Sequence, residues 1–298
     1  MEKEVSIPVN LFNFDELVTI ASQECEKLKR YFRLNIIFYQ LITKKGLEFD
    51  KIVNYTPGDD VRRIDWKLYA KTRKLFIRTY KEERNFNIII VVDVSNSMLL
   101  GTTEYTKNEY AAIVGGILAF AATESGNKVG GGVFSDRVRV LLEPQNNCFH
   151  LLYALALEEN YGGKKDWEAL TNELLTTYSS DSIVFIISDF LSADVEKYLP
   201  DLSYHFSKVY GIMIRDPIDN KIPPKVGRVY LKDPHTGEVF LTNIEEAREE
   251  YAILNKKHIE NMDELFHRTG QLFFKVDTTE DFGTSFIKAL GGEKVIIS

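Results

Sequence analysis

The sequence predicts an α/β protein built on a doubly wound, mostly parallel sheet, with an N-terminal extension and a β-hairpin insertion. Two β-branched runs, NIIIVVD (87–93) and SIVFIIS (182–188), are typical of strands that are buried on both faces of a parallel sheet. Helical patterns separate such runs along the chain, and this alternation predicts crossover connections between parallel strands. A hydrophobic fraction of 44% over 298 residues is enough to form a sizeable buried core.

The elements before residue 85 are predicted to form an extension of the main domain. An amphipathic helix covers about Phe14–Phe32, and Asn13 and Glu16 form a capping box at its start. Its apolar residues recur at helical spacing, so one face is expected to pack on a core. Short extended pieces, broken by a Pro-Gly pair, come next. We therefore divide the chain into an N-terminal region, 1–84, and a main domain, 85–298, on which it packs.

The main domain alternates strands and helices before it is interrupted. Its predicted strands are 87–93, 128–135, 138–142, 182–188 and 209–214, and its predicted helices are 107–124, 149–159, 167–178 and 195–202. Two alternating runs on either side of DPHTG (233–237) then predict an antiparallel β-hairpin within residues 216–243. A long acidic helix from Ile244 to about Arg268 and a strand at 271–276 complete the domain.

Composition argues against several classes of protein. The formal net charge of −7 gives no general basis for binding nucleic acid, and we interpret the basic stretch Arg62–Arg84 as a solvated face or a docking face for an acidic partner. Cys25 and Cys148 alone provide neither a disulfide framework nor a zinc-type spacing. No run approaches the roughly 18 apolar residues needed to cross a bilayer, and the first residues lack the apolar part of a secretory signal. The sequence therefore predicts a cytoplasmic protein with no membrane span and no nucleic-acid partner.

The residues best suited to bind a ligand follow the two buried strands. The first strand ends in the loop DVSNS (93–97) and the second in SDF (188–190). Because sites in parallel α/β sheets form at the carboxyl ends of the strands, we expect four side chains to converge there: Asp93, Ser95, Ser97 and Asp189. Their oxygens suit Mg²⁺, Mn²⁺ or Ca²⁺ and are poorly suited to zinc. The alternative is that these residues only cap the turns that follow the strands.

The same residues carry a resemblance to known proteins. DVSNS with an aspartate at the end of a later strand resembles the metal-ion-dependent adhesion site (MIDAS) of von Willebrand factor A domains, which have a Rossmann-type sheet. The segment LEFDKIVNYTPGDDVRRIDWKLYAKTRKLFIRTYKEERNFNIIIVVDVSNSM, followed by VGGGVFSD, FIISDF, IRDP and DPHTGE, is similar to the bacterial domain-of-unknown-function family fifty-eight. The resemblance extends from about Gly46 to the C-terminal helices. It implies a von Willebrand factor A-like fold and a partnership with AAA+ ATPases of the MoxR type, which engage or remodel client proteins.

One position departs from the pattern of von Willebrand factor A domains. The resemblance implies a threonine ligand from a loop in the middle of the fold, and the matching stretch here is GGKKD (162–166), with Lys165 at the threonine position. The Lys165 ammonium would oppose a divalent ion and could take its place, unless the side chain points into solvent. Asp166 is an alternative metal ligand.

A second group of charged residues lies in the N-terminal region, in the segment PGDDVRRIDW. Bidentate pairs between its arginines and aspartates can lock the segment in place or form an interface. Paired aspartates can also serve acid–base catalysis, but no histidine or nucleophile accompanies them. We therefore favour a structural or interface role for Asp59, Asp60, Arg62, Arg63, Asp65 and Trp66.

Two functions remain open. The first is a non-enzymatic, metal-dependent protein–protein interaction module, an adaptor or co-chaperone of a MoxR-type AAA+ ATPase. A bound Mg²⁺ or Mn²⁺ ion would recruit a carboxylate from that ATPase or its client. The alternative is a metal-dependent hydrolase that uses Asp93, Asp189 and the Asp59–Asp60 pair, although no nucleophile-activating group is evident. We expect the interaction module.

Overall fold

The computed structural model divides the chain into two units. The larger unit combines residues 1–31 with 86–298, and the smaller one comprises residues 32–85. The predicted boundary at residue 85 differs from this grouping mainly in where the N-terminal helix belongs. The residues whose structure is described are 11–31, 49–56, 64–80, 86–192, 194–220, 228–232 and 239–281.

The helices and strands follow one another much as the sequence predicts. The helices are α1 (Phe14–Tyr31), α2 (Trp66–Thr72), α3 (Lys107–Glu124), α4 (Phe149–Leu155), α5 (Trp167–Thr177), α6 (Val195–His205), α7 (Pro217–Asn220) and α8 (Ile244–Arg268). The strands are β1 (Phe49–Asn54), β2 (Phe76–Tyr80), β3 (Asn87–Asp93), β4 (Lys128–Phe134), β5 (Val138–Gln145), β6 (Ile183–Ser188), β7 (Lys208–Arg215), β8 (Arg228–Lys232), β9 (Val239–Asn243) and β10 (Leu272–Asp277). Short 3₁₀ turns lie at Asn96–Leu99 and Glu158–Asn160.

A six-stranded sheet forms the centre of the larger unit. Its order is β10-β7-β6-β3-β4-β5, and every neighbouring pair is parallel except β4 and β5, which are antiparallel. The central strands β3 and β6 are buried along almost their whole length, which is why both read as continuous apolar runs. The predicted α/β class with a mostly parallel sheet is confirmed.

Helices cover both faces of this sheet. On one face, helices α5, α6 and α8 bury a core against Ile89 and Val91 of β3 and Val184 and Ile186 of β6. On the other, helix α3 brings Gly115 against Val92 and Ile187, the alternate residues of the same two strands. Successive residues of a strand point to opposite faces, so this alternation shows that the sheet is doubly wound.

Helix α1 belongs to the larger unit because its apolar face packs on α3. Leu17, Ala21 and Cys25 recur at helical spacing and are buried. The contact is close: a Cβ added at Gly116 of α3 would lie 2.7 Å from the Cβ of Ala21.

Two local features concern the end of helix α4, which differs from the prediction, and the triple glycine of β4. The helix predicted over 149–159 ends at Leu155, because the side chains of Asn160 and Tyr161 donate to the last carbonyls, Ala154 O and Leu155 O, at 2.7 Å each. The triple glycine of β4 is required by the sheet: Gly131 has φ of +117°, and a Cβ there would lie 2.0 Å from the Ile90 carbonyl oxygen.

The smaller unit contains an antiparallel pair, β1 and β2, with helix α2 between them in the chain. Within the larger unit, β8 and β9 form a separate antiparallel pair in the region for which a hairpin is predicted. Neither pair joins the six-stranded sheet.

Candidate functional site

The site lies where β3 and β6 end, at the carboxyl edge of the sheet. These strands are hydrogen-bonded neighbours, so Asp93, the last residue of β3, lies beside Ser188, the last residue of β6. The Ser188 hydroxyl donates to Asp93 Oδ2 at 2.6 Å. Asp189 follows immediately, and the carboxylates of both aspartates are fully buried.

The loop after β3 folds back on Asp93. The Ser95 N–H donates to Asp93 Oδ1 at 2.9 Å, and the hydroxyls of Ser95 and Ser97 lie 3.3 Å apart. Both serines are buried, Ser97 within the 3₁₀ turn. The four residues predicted from sequence thus occupy two adjacent strand ends.

A third loop is tied to this edge by two glycines in left-handed conformations. Gly162 and Gly163 have φ of +100° and +89°, respectively. Gly162 N–H donates to Val94 O at 2.8 Å, while the Asn96 N–H donates to Gly163 O at 2.9 Å and the Gly163 N–H donates to the Asn96 side chain at 3.0 Å. This clamp places the residues that follow it against the strand ends.

The side chain that follows the clamp is that of Lys165, and it enters the site. Lys165 Nζ lies 2.8 Å from Asp93 Oδ2 and also contacts Asp189 Oδ1, and its side chain is only 2% exposed. A second ammonium approaches from helix α3: Lys107 Nζ lies 3.2 Å from Asp189 Oδ2 and 3.1 Å from Asp219 Oδ2. The sequence alternative in which Lys165 points into solvent is therefore not the one adopted.

Aromatic stacking holds the loops of Lys165 and Asp189 together. Trp167, the first residue of α5, stacks on Phe190 with ring centroids 5.7 Å apart. Phe190 is buried with φ of +54°, a left-handed conformation, and the turn there lets the Leu191 N–H donate to Asp189 Oδ1 at 3.1 Å. Both loops are thus pre-organised around the ion pairs.

These contacts change the acidity of the buried groups. Burial raises the pKa of Asp189, but the Lys165 and Lys107 ammoniums outweigh it and hold that pKa well below its usual range. Burial likewise opposes the charge on Lys165, yet Asp189 and Asp93 keep its pKa above its ordinary value. Asp189 and Lys165 therefore form an ionised pair at neutral pH.

The residues present do not fit a divalent metal ion. All four oxygens of Asp93 and Asp189 accept bonds from the chain itself: from Ser95 N, Ser188 Oγ, Lys165, Lys107 and Leu191 N. Within the described residues, no group of three or more His, Cys, Asp or Glu side chains is arranged to hold a metal. An ammonium stands where the resemblance places the ion.

The alternative ligand Asp166 caps a helix. Its carboxylate accepts from the Ala169 N–H at 2.9 Å at the start of α5, and its own N–H donates to Ser135 O at 2.7 Å.

In the second charged group, Asp65 caps α2 by accepting from Lys67 N and Leu68 N. Trp66 is 62% exposed and packs edge-on against Tyr69. Asp59, Asp60, Arg62 and Arg63 lie outside the described residues.

Sequence reasoning missed Lys107 and Asp219. Lys107 is the first residue of helix α3 and is 1% exposed, although a cation is unfavourable at a helix N-terminus. A lysine at this unfavourable position is the feature of the sequence that could have indicated a carboxylate partner nearby. Asp219 follows the Arg215-Asp216 pair, whose Asp216 carboxylate binds the Thr102 N–H and hydroxyl.

The fold and the site define a class of protein: a doubly wound α/β domain with a buried carboxylate–lysine cluster at the carboxyl edge of its sheet. The chain belongs to the family described as "Protein of unknown function DUF58", whose model matches residues 51–261. It is 25% identical over 261 residues to uncharacterized protein Rv1480 of Mycobacterium tuberculosis and equally to uncharacterized protein Mb1516 of Mycobacterium bovis, covering 85% of this chain and 82% of each relative.

Two solved structures are also similar. BatB from Bacteroides thetaiotaomicron has 15% identity and a TM-score of 0.46, and covers 70% of this chain and 98% of its own. An aerotolerance-related membrane protein from Bacteroides fragilis has 14% identity and a TM-score of 0.43, and covers 70% and 99%, respectively.

The predicted cytoplasmic location is corrected by these comparisons. One of the similar structures is described as an aerotolerance-related membrane protein, which is a description of that protein. Among the described residues, no helix is both long and apolar enough to cross a membrane.

Proposed function

We propose that this chain is a protein-interaction module of the von Willebrand factor A-like type. Its proposed partner is an AAA+ ATPase of the MoxR type or a client of that ATPase, in keeping with the family resemblance. The observation that supports the proposal is the character of the carboxyl edge of the sheet, where a buried cluster of carboxylates and lysines lies among connections that expose apolar side chains.

Three apolar residues form what we call the carboxyl-edge rim. Leu100, Leu191 and Ile218 are 45%, 39% and 38% exposed and lie in the connections that follow β3, β6 and β7, Ile218 within the short helix α7. These strands are consecutive in the sheet and parallel, so the three loops leave it at the same edge. Exposed apolar side chains grouped in this way are typical of a protein-binding surface.

The hydrolase alternative has weaker support. A general base or a metal-bound nucleophile needs a carboxylate oxygen that is open to substrate. The oxygens of Asp93 and Asp189 are instead buried and already accept bonds from the chain. Binding without chemistry needs no such opening.

The test compares two substitutions of exposed apolar residues in a binding assay. The probe is the purified MoxR-type ATPase of the same organism, immobilised for interferometry in the presence of ATP or ADP. Leu191→Glu should weaken binding by about tenfold or more, the effect of losing a central interface residue. Tyr204, 95% exposed near the end of α6 and just before the amino end of β7, supplies the control Tyr204→Glu, which should bind normally.

Two results would contradict the proposal. One is an absence of binding by the unmodified chain in either nucleotide state. The other is an equal loss in both variants, which would place the contact elsewhere. Turnover of a generic phosphoester that is abolished by Asp93→Asn would favour the hydrolase instead.

A further inference from the structure

We propose that the Lys165 ammonium is the resident cation of this site and replaces the divalent ion that a MIDAS would hold. The inference goes beyond the proposed function and does not depend on any partner, because it concerns only groups of this chain.

The Lys165 ammonium lies where a bound ion would lie. Lys165 Nζ contacts one oxygen of Asp93 and one of Asp189, the two carboxylates that a bound ion would bridge. A divalent ion would need to lie roughly 2.0–2.6 Å from those oxygens. The ammonium and the ion therefore compete for the same space.

The charges around this position also disfavour a divalent ion. Three carboxylates, those of Asp93, Asp189 and Asp219, share the two ammoniums of Lys165 and Lys107 within hydrogen-bonding distance. A divalent ion entering between Asp93 and Asp189 would be repelled by both ammoniums, which already bond these carboxylates. Replacing Lys165 by a neutral residue would remove one of these repulsions and make the site more negative.

The loop that bears Lys165 is held in place on both sides of this residue. The Gly162–Gly163 clamp fixes the chain just before Lys165, and the stacking of Trp167 on Phe190 fixes it just after. The Lys165 side chain is 2% exposed and is held beside the carboxylates by this loop. The lysine is built into the site as a permanent cation.

The experiment measures Mn²⁺ binding to the full chain by the loss of the free-ion signal in electron paramagnetic resonance. The unmodified chain should show no binding tighter than about 1 mM, the weak limit of protein sites for such cations. Lys165→Thr removes the ammonium and adds a hydroxyl ligand, and it should bind Mn²⁺ at least about tenfold more tightly. Lys164→Thr is the matched control: Lys164 is the exposed neighbour, and its loss should create no site.

Each outcome decides the proposal. Mn²⁺ binding by the unmodified chain that is lost in Asp93→Asn would overturn it, and so would a folded Lys165→Thr variant that gains no affinity. If Lys165→Thr does not fold, the unmodified chain decides alone, and its thermal midpoint should be the same in EDTA and in Mn²⁺. No partner is present in these measurements, so their failure is distinct from failure of the proposed interaction.

Discussion

Replacing Lys165 by methionine removes the cation that bridges Asp93 and Asp189, and we expect it to destabilise the chain strongly. Methionine keeps the unbranched apolar stem of lysine and removes only the charge and its hydrogen bonds. Asp93 and Asp189, both fully buried, would then face each other with Lys107 as the remaining cation. The cost of the substitution is therefore mainly electrostatic.

The structure sets the size of this cost. At the 2.8 Å separation of Lys165 Nζ and Asp93 Oδ2, the Coulomb attraction is about 6 kcal/mol for an effective dielectric constant of about 20. Desolvation of both groups offsets part of that attraction, and removing one partner of a buried pair costs about 3–5 kcal/mol. For a domain of this size, such a loss lowers the melting temperature by roughly 6–20 °C.

Urea unfolding followed by circular dichroism measures the change, with a double-mutant cycle to isolate the pair. Lys165→Met should cost about 3–5 kcal/mol, and adding Asp189→Asn should recover part of it, because the unpaired carboxylate is removed. Lys164→Met, at the exposed neighbour, should stay within about 0.5 kcal/mol of the unmodified chain. If the free energy of unfolding of Lys165→Met lies within about 1 kcal/mol of that of the unmodified chain in the same assay, the reasoning is refuted, since a buried ion pair could not then be present.

Three smaller perturbations have defined outcomes. Gly131→Ala should prevent soluble folding, whereas Gly270→Ala, also at positive φ but with nothing within 4 Å of the new Cβ, should cost only about 1 kcal/mol in urea unfolding. Asp166→Ala should cost about 1 kcal/mol by losing the cap of α5, and an unchanged urea midpoint would contradict this. Burial, aided by Arg215, lowers the pKa of His258, so the unfolded chain takes up the proton first and stability should fall as the pH drops below about 6.5. His258→Gln should reduce this dependence and His267→Gln, exposed on the same helix, should not.

Much of the fold was predictable because the signals that determine it are local. The β-branched runs of β3 and β6 predict two buried parallel strands, and parallel strands bring their carboxyl ends to the same edge of the sheet. This reasoning led us to expect Asp93 and Asp189 at the same edge of the sheet, and the structure adds that the two strands are neighbours. Their use as metal ligands is a separate prediction, and the Lys165 contacts argue against it.

The orientation of Lys165 could not be read from the sequence. Local patterning left two alternatives, a cation in the site or a side chain in solvent. The choice depends on the bonds between Gly163 and Asn96, 67 residues apart in the chain, and on the packing of Trp167 against Phe190. Such long-range contacts leave no periodic pattern in the sequence.

Lys107 and Asp219 were missed for a related reason. Each comes from a different connection, and the two meet near Asp189 only when the sheet has formed. Lys107 at the first position of α3 is unfavourable for the helix dipole, and its contacts with the carboxylates of Asp189 and Asp219 explain its place there. The prediction of a cytoplasmic location was wrong for a different reason. Composition indicates whether a chain contains a membrane-spanning helix, but it does not indicate where the chain resides.

The most direct test of the lysine-filled site is a crystal structure of the unmodified chain soaked in Mn²⁺, with diffraction data collected at the manganese absorption edge. Our account predicts no anomalous peak between Asp93 and Asp189, with the Lys165 ammonium bonded to both carboxylates. An anomalous peak at that position, with Lys165 turned away from it, would contradict the account.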